Sequence, residues 1–240
     1  MKVGTVKEIY RYPVKSMGGE RLREAPILEH GILGDRSFAY KNEAKYLTVQ
    51  NLPELLNYHA KLAHNGGKLE PVVTSRNGEE FQWNDTRLTE EISAKVEDGQ
   101  LEQLSLDPTT DRGAYWEDHL LLFSTASLEK ISELCGSNLL DFRRFRPNLV
   151  IELDSGKPFE EEEWIGKEIV INDVVFRVNQ GCERCFYINV DPVNPSLIDS
   201  KILKTLVKER NMIAGVYMSV VRTGEIPTGA EVYVRNEKRT

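Results

Sequence analysis

Within residues 181–192, Cys182 and Cys185 stand three positions apart, with Arg184 directly before the second. A guanidinium beside a thiol favours the thiolate, which is both a nucleophile and a metal ligand. A tetrahedral zinc site would need two further Cys or His ligands. Cys135 falls on a helical pattern, and His30, His59, His64 and His119 show no ligand pairing, so zinc is disfavoured. A thioredoxin-like redox pair should open a helix near a chain's start, whereas this pair comes late and precedes a strand-like run. Two readings stay open on residue type. One is a ligating thiolate for a soft metal; the other is a pair of small buried side chains.

Elsewhere the residues that could do chemistry are suited to holding an anion. Lys15 and Ser16 sit in a turn, Tyr12-Pro13-Val14-Lys15-Ser16-Met17-Gly18-Gly19, that can present an ammonium and backbone N–H groups. An exposed β-turn with a solvated lysine would read the same way. Asp35-Arg36 is either a plain surface pair or, if Arg36 faces a phosphate, a planar fork suited to it. Arg143, Arg144 and Arg146, followed by Pro147 and Asn148, form either a solvated basic loop or an anion-binding one. Ser124 and Thr125 follow the apolar run Leu120–Phe123 and precede a helical pattern. Their hydroxyls can cap that helix or bond an anion at its N-terminus.

The elements that must position these residues are mostly strands. Apolar runs at Glu168–Ile171 and Asp173–Val178 lead into the cysteine pair, and Phe186–Val190 reads as a strand closed by Asp191-Pro192. Strand patterns also cover Val3–Tyr12, Glu20–Leu28, Ser37–Tyr40, Tyr46–Gln50, Leu149–Glu152, Gly215–Val221 and Glu225–Val234. Pro53–Leu56 reads as one helical turn, and Leu128, Ile131, Leu134 and Cys135 mark one face of a helix. A second helix is expected over Leu197–Arg210, with Ile198, Ile202, Leu203, Leu206 and Val207 on its apolar face. The region 57–106 carries short strands and an Asn77-Gly78 hairpin signal but no recognisable chemistry. A polar connector, Asp107–Gly113, divides the chain into segments 1–110 and 111–240.

The chain has 240 residues, 40% hydrophobic and 29% charged, the composition of an ordinary globular protein. Its net charge of −7 argues against nucleic acid as a partner. There is no apolar run of about 18 residues to span a membrane and no signal-peptide core. Three cysteines at uneven spacing argue for a reducing compartment, hence a cytoplasmic location.

Taken in order, Tyr12-Pro13 with Lys15-Ser16, Asp35-Arg36, Phe145-Arg146-Pro147-Asn148 and Cys182–Cys185 through Asp191-Pro192 resemble the MOSC proteins. The resemblance is to the branch with an N-terminal β-barrel domain, which includes the mitochondrial amidoxime-reducing components and the YcbX-like proteins. It covers essentially the whole chain and extends to Gly215-Val216-Tyr217, Gly224-Glu225-Ile226 and Gly229. It implies a mostly-β (α+β) protein, a MOSC β-barrel domain plus an N-terminal β-barrel-like domain, with a molybdenum cofactor (Mo-molybdopterin) between them. By carry-over, Cys185 is the molybdenum ligand and catalytic residue, and Lys15, Ser16, Arg36, Arg146, Asn148 and Arg184 hold the pterin and its phosphate. Ser124 and Thr125 are looser matches. The implied activity is reduction of small N-hydroxylated compounds such as amidoximes, hydroxylamines and N-hydroxylated bases. Because the chain ends at Thr240 without a Cys-rich ferredoxin tail, electrons are expected from a separate ferredoxin- or flavoprotein-like donor. Two alternatives are a sulfur carrier with a Cys185 persulfide and a cofactor-storage protein without turnover.

Overall fold

The computed structural model describes residues 1–43, 45–96 and 100–236. The first half of the chain is built of short strands. They are β1 (Lys2–Arg11), β2 (Glu20–Leu22), β3 (Glu24–Leu28), β4 (Gly31–Ile32), β5 (Phe38–Asn42) and β6 (Lys45–Tyr46). After a 3-10 turn at Pro53–Asn57 come β7 (His59–Asn65), β8 (Lys68–Thr74), β9 (Glu80–Gln82), helix α1 (Thr86–Ser93) and β10 (Glu102–Ser105). The second half begins with β11 (Leu120–Ser124), α2 (Thr125–Leu134) and β12 (Leu149–Leu153). It continues with β13 (Glu168–Ile171), β14 (Val174–Glu183), α3 (Ser200–Arg210), β15 (Ile213–Arg222), β16 (Gly224–Pro227) and β17 (Glu231–Arg235).

Strand order β12-β11-β15-β14-β13-β17-β1, closed by a β12–β1 pairing, makes a seven-stranded barrel with β2 attached to β1. The fold is the mostly-β, few-helix class the sequence implied. Register shifts between Lys2 and Gly4 and between Val6 and Glu8 break the strict alternation of β1, so Val3, Val6 and Ile9 all point inward, among Leu122, Ile151, Phe176 and Val232. The chain's first strand thus closes a barrel whose other strands come from residues 120–235. The division into 1–110 and 111–240 remains a proposal, and β1 crosses it.

A second core lies under the short sheets, where Val14, Met17, Phe38, Tyr40, Trp83, Leu88 and Ile92 pack together. A third joins α2 and α3 through Leu128, Ile131, Cys135, Ile202 and Leu206.

Four local expectations are corrected. Phe186–Val190 is not a strand: Phe186–Asn189 is a 3-10 turn, and Val190 makes one isolated bridge to Ile198. A short apolar run does not distinguish these conformations by its period. Strand β6 stops at Tyr46, because the chain turns at Thr48, whose carbonyl accepts from the Asn51 and Leu52 amides. Helix α1 went unread, although Asp85 caps it and Leu88 and Ile92 form its buried face. Helix α3 starts at Ser200 behind the cap Asp199, and Ile198 and Val207 are exposed rather than buried. No helix among the described residues is long and apolar enough to cross a membrane.

Candidate functional site

Strand β14 ends at Glu183, between the two cysteines. Cys182 is buried, with its thiol 3.7 Å from the Glu183 carbonyl, whereas Cys185 is exposed. Cys185 caps the 3-10 turn Phe186–Asn189, and two cores grip that turn. Ile188 belongs to the α2–α3 core, while Phe186, Tyr187 and Val190 pack against the core of the short sheets. Arg144 donates from Nη1 to the Asn189 carbonyl (3.1 Å) and from Nη2 to Asp191 (2.6 Å). Asp191 in turn accepts from the amides of Val193 and Asn194, so the chain leaving the turn is tied down.

Arg184, adjacent to Cys185 in sequence, turns into the interior. Its Nε donates to the Ala214 carbonyl and its Nη1 to the Phe145 carbonyl, both at 2.8 Å, with Nη2 also on Ala214. Its charge lies over the Phe145 and Phe123 rings, 5.4 and 5.8 Å from their centroids. The residue read as a neighbour for the thiolate therefore braces the floor of the turn. Tyr217 lies beside Cys182; burial first, then the Cys182 thiol, push its phenol pKa well above the usual tyrosine range.

Three cations from distant parts of the chain converge next to this turn. Tyr12 is the platform: the Arg146 guanidinium carbon is 4.0 Å and that of Arg36 5.2 Å from its ring centroid. Arg36 pairs with buried Asp35, which also accepts from the Tyr12 amide at 2.7 Å. Asn148 accepts from Arg36 (3.3 Å) and the Leu121 amide (3.2 Å) and donates to the Tyr10 carbonyl (3.2 Å). It locks β1, β11 and the arginine together. Lys15 donates to the Ala114 carbonyl at 2.6 Å.

Charge in this cluster is not balanced. Burial, then Arg36, then Arg146, bring the Lys15 ammonium down to a pKa of about 8. Among the described residues, Asp35 is the one carboxylate paired with any of the three cations. Arg146 donates through Nη1 to Tyr187 Oη (2.9 Å) and to the Met17 carbonyl, yet its buried Nη2 has no acceptor among the described residues. A buried donor without a partner costs about 1–3 kcal/mol, so this nitrogen marks a place for an acceptor. Backbone strain marks the same place. Ser16, Arg36 and Arg146 all have left-handed φ, at 69°, 54° and 52°. Such conformations cost about 1–3 kcal/mol each for non-glycine residues and cluster at ligand clamps.

Tyr187 connects the cluster to the turn. Burial raises its phenol pKa, Arg146 opposes the rise, and the Cys185 thiol adds to it. The structure thus brings Lys15, Ser16, Arg36, Arg146 and Cys185 toward one region. It gives the other expected residues different surroundings. Ser124 is fully buried: its hydroxyl donates to Glu161 (2.8 Å) and accepts from the Ser127 amide (3.1 Å), capping α2. Thr125 is the half-buried first residue of that helix. Arg143 is paired with Asp141, and Arg144 with Asp191. Tyr12 and Tyr187 receive no role from the sequence, although Tyr12 beside Pro13 and Tyr187 two residues past Cys185 were available signals; Asp35, read as a possible surface partner of Arg36, is buried. Glu161 is buried on the 3-10 turn Glu160–Trp164, and burial raises its carboxyl pKa despite bonds from Ser127 and Ser124.

Among the described residues no group of three or more His, Cys, Asp or Glu is placed to cage a metal. The comparisons with known proteins bear on this geometry. Residues 94–233 match the MOSC domain and residues 3–121 the MOSC N-terminal beta barrel domain. This chain belongs to the MOSC-domain proteins. It is 26% identical to mitochondrial amidoxime reducing component 2 of Macaca fascicularis, over 97% of this MOSC chain and 84% of that protein. It is 25% identical to a molybdenum cofactor sulfurase of Caenorhabditis elegans, over 89% of this chain. The match spans only a third of the sulfurase's length (33%). The YuaD protein of Bacillus subtilis shares the fold, with a TM-score of 0.55 at 13% identity over 98% of this chain and 97% of that one.

Proposed function

We propose that this MOSC protein binds a molybdenum cofactor at the Lys15–Arg36–Arg146 cluster and reduces small N-hydroxylated compounds. The observation that carries the reading is the unsatisfied positive charge beside an exposed thiol. Three cations face one paired carboxylate, Lys15 is brought down to about 8, and the buried Arg146 Nη2 lacks an acceptor. A phosphate dianion would repair all three defects through charge-assisted hydrogen bonds, each worth about 1.5–3 kcal/mol. A soft thiolate suits molybdenum, and Cys185 is the accessible one. The donor set therefore fits the group that the relatives' names suggest.

In this reading Lys15, Ser16, Arg36 and Arg146 hold the phosphate end and Cys185 offers its sulfur to the metal. Asn148, Arg184 and Ser124 act one step back, by fixing the loops that present those groups. The cofactor, when bound, supplies the two-electron chemistry at the N–O bond. The net conversion takes an N–OH group, two electrons and two protons to N–H and water. The electrons come from a separate protein donor of ferredoxin or flavoprotein type. Three unpaired cysteines support a reducing, cytoplasmic setting.

The test is molybdenum and pterin content of wild type beside Cys185→Ser, followed by turnover of benzamidoxime with a chemical reductant. Near-stoichiometric metal in the wild type, lost in the variant, with amidine formed, is the expected result. Absence of metal and pterin from both proteins, even from a cofactor-rich host, would overturn it. Cyanide-releasable sulfur on Cys185 in metal-free protein would instead point to the sulfur-carrier alternative.

A further inference from the structure

Exposed apolar side chains gather on one stretch of the surface. Among the described residues ten large hydrophobic side chains are exposed, and four of them, Val193, Leu197, Ile198 and Val207, fall between residues 193 and 207. Val193 and Leu197 are 64% and 59% exposed. Apolar surface gathered in this way and rimmed by polar groups marks an interaction site.

This stretch is sewn to the turn that Cys185 opens. The Asp199 amide donates to the Asn189 carbonyl (2.8 Å), the Leu203 amide donates to Asn189 Oδ1 (3.0 Å), and Val190 bridges Ile198. Asn189 ends the turn that begins after Cys185. A 3-10 turn rises about 2 Å per residue, so Asn189 stands roughly 8 Å along it from the cysteine. The apolar stretch therefore starts close to the exposed thiol and is tied to it by direct bonds.

Helix α3 adds charge. Ile202 and Leu206 are buried, whereas Lys201, Lys204 and Lys208, spaced three and four apart, form an exposed stripe on the opposite face. Val207 lies one turn from Lys204, so apolar and cationic groups adjoin. Lys208 pairs with Glu209 at 2.7 Å in solvent. Among the described residues no carboxylate pairs with Lys201 or Lys204. Asp199 is engaged at the helix cap, accepting from the Lys201 amide at 3.0 Å, and Arg210 is answered by Glu162. A chain of net charge −7 thus turns a locally positive face outward beside its exposed thiol.

Charges at the rim of a contact steer encounter, and weak electron-transfer contacts are small, below about 1,200 Å². We propose that Val193, Leu197, Ile198 and the lysine stripe of α3 form the docking surface for a small acidic electron-transfer protein. Its carboxylates would meet Lys204 and Lys208, and its redox centre would face the Cys185 turn. This inference rests on the reductase reading, in which electrons come from another protein. Two reduced one-electron carriers, docking in turn and leaving oxidised, supply the two electrons consumed with two protons when N–OH becomes N–H and water.

The experiment is calorimetric titration of the full chain with an acidic plant-type [2Fe–2S] ferredoxin and with an acidic flavodoxin. Basic cytochrome c is the control of opposite charge. Saturable binding of at least one acidic carrier is expected. It should weaken about tenfold or more from about 20 to about 200 mM salt, as the screening length falls about threefold. Lys204→Glu combined with Lys208→Glu should weaken binding about tenfold or more and flatten the salt dependence. Leu197→Ser should weaken it about fivefold and leave the salt dependence unchanged. Lys61→Glu combined with Lys68→Glu makes the same change in net charge on the β7–β8 hairpin, where both lysines are exposed, and should alter neither. Circular dichroism confirms that each variant is folded. In turnover assays the α3 double variant should keep the rate driven by dithionite and lose the rate driven by the carrier.

No saturable binding of either acidic carrier to folded wild type overturns the proposal. So does an equal loss in the hairpin double variant, which would make net charge rather than this face the cause. Binding of cytochrome c as tight as that of the acidic carriers overturns it as well. Molybdenum content is measured on the same proteins. Metal without docking defeats this inference alone, and docking without metal defeats the reductase reading alone.

Discussion

Two arginine-rich regions flank the cysteine turn, and they do opposite things. Arg144 and Arg184 are buried, and, the Arg144 Nε apart, their donors are spent on carbonyls and on Asp191, whose carboxylate answers the Arg144 charge. Arg36 and Arg146 instead crowd around Tyr12, within the electrostatic reach of Lys15, and the three leave charge and one N–H uncompensated. Both regions look basic in the sequence, and Arg144 and Arg146 are two residues apart. The difference shows that a cationic run does not by itself mark an anion site. What marks it is a cation the fold has buried without answering.

Breaking the first region should cost the most. Arg184→Ala strips three donated bonds from the Ala214 and Phe145 carbonyls, and we expect about 3 kcal/mol or more of lost stability, measured by urea unfolding. If the loss is below 1 kcal/mol, the bracing role assigned to Arg184 is wrong.

The second region should respond to pH rather than to truncation. An ordinary lysine in the unfolded chain holds its proton to about 10.4, whereas Lys15 in the fold releases it near 8. Between these values the unfolded chain binds more protons, so stability rises with pH through this window. The penalty of the charged lysine is fully present below about 8 and is relieved toward 10.4. Relative to Lys15→Met, cofactor-free wild type should therefore gain stability from pH 8 to 10. Adding phosphate at pH 7.5 should narrow the difference between the two proteins. A pH-independent difference between them would remove the case for repulsion within the cluster.

The smallest effect sharpens the contrast between the cysteines. Cys182→Ala should lose about 1 kcal/mol through a small buried cavity while retaining whatever metal the wild type holds. Cys185→Ser, at an exposed position, should move stability by less than about 0.5 kcal/mol. Loss of metal with Cys182→Ala alone would reverse the roles of the two thiols.

Much of this molecule was legible in the residues themselves. Alternating and continuous apolar runs identified nearly all the barrel strands, because a side chain's face in a strand depends only on its position along the strand. The ordered motifs carried the family, and Lys15, Arg36, Arg146 and Cys185 are single residues whose chemistry is visible without a fold. Only the tertiary structure decided which arginine faces what. Arg184 turned inward to satisfy the Ala214 carbonyl, and Arg144 was claimed by Asp191, 47 residues away. Phe186–Val190 became a turn because two separate cores pulled its side chains in different directions. Hydrogen-bond partners and burial are properties of residues brought together from far apart in the chain, and no local pattern encodes them.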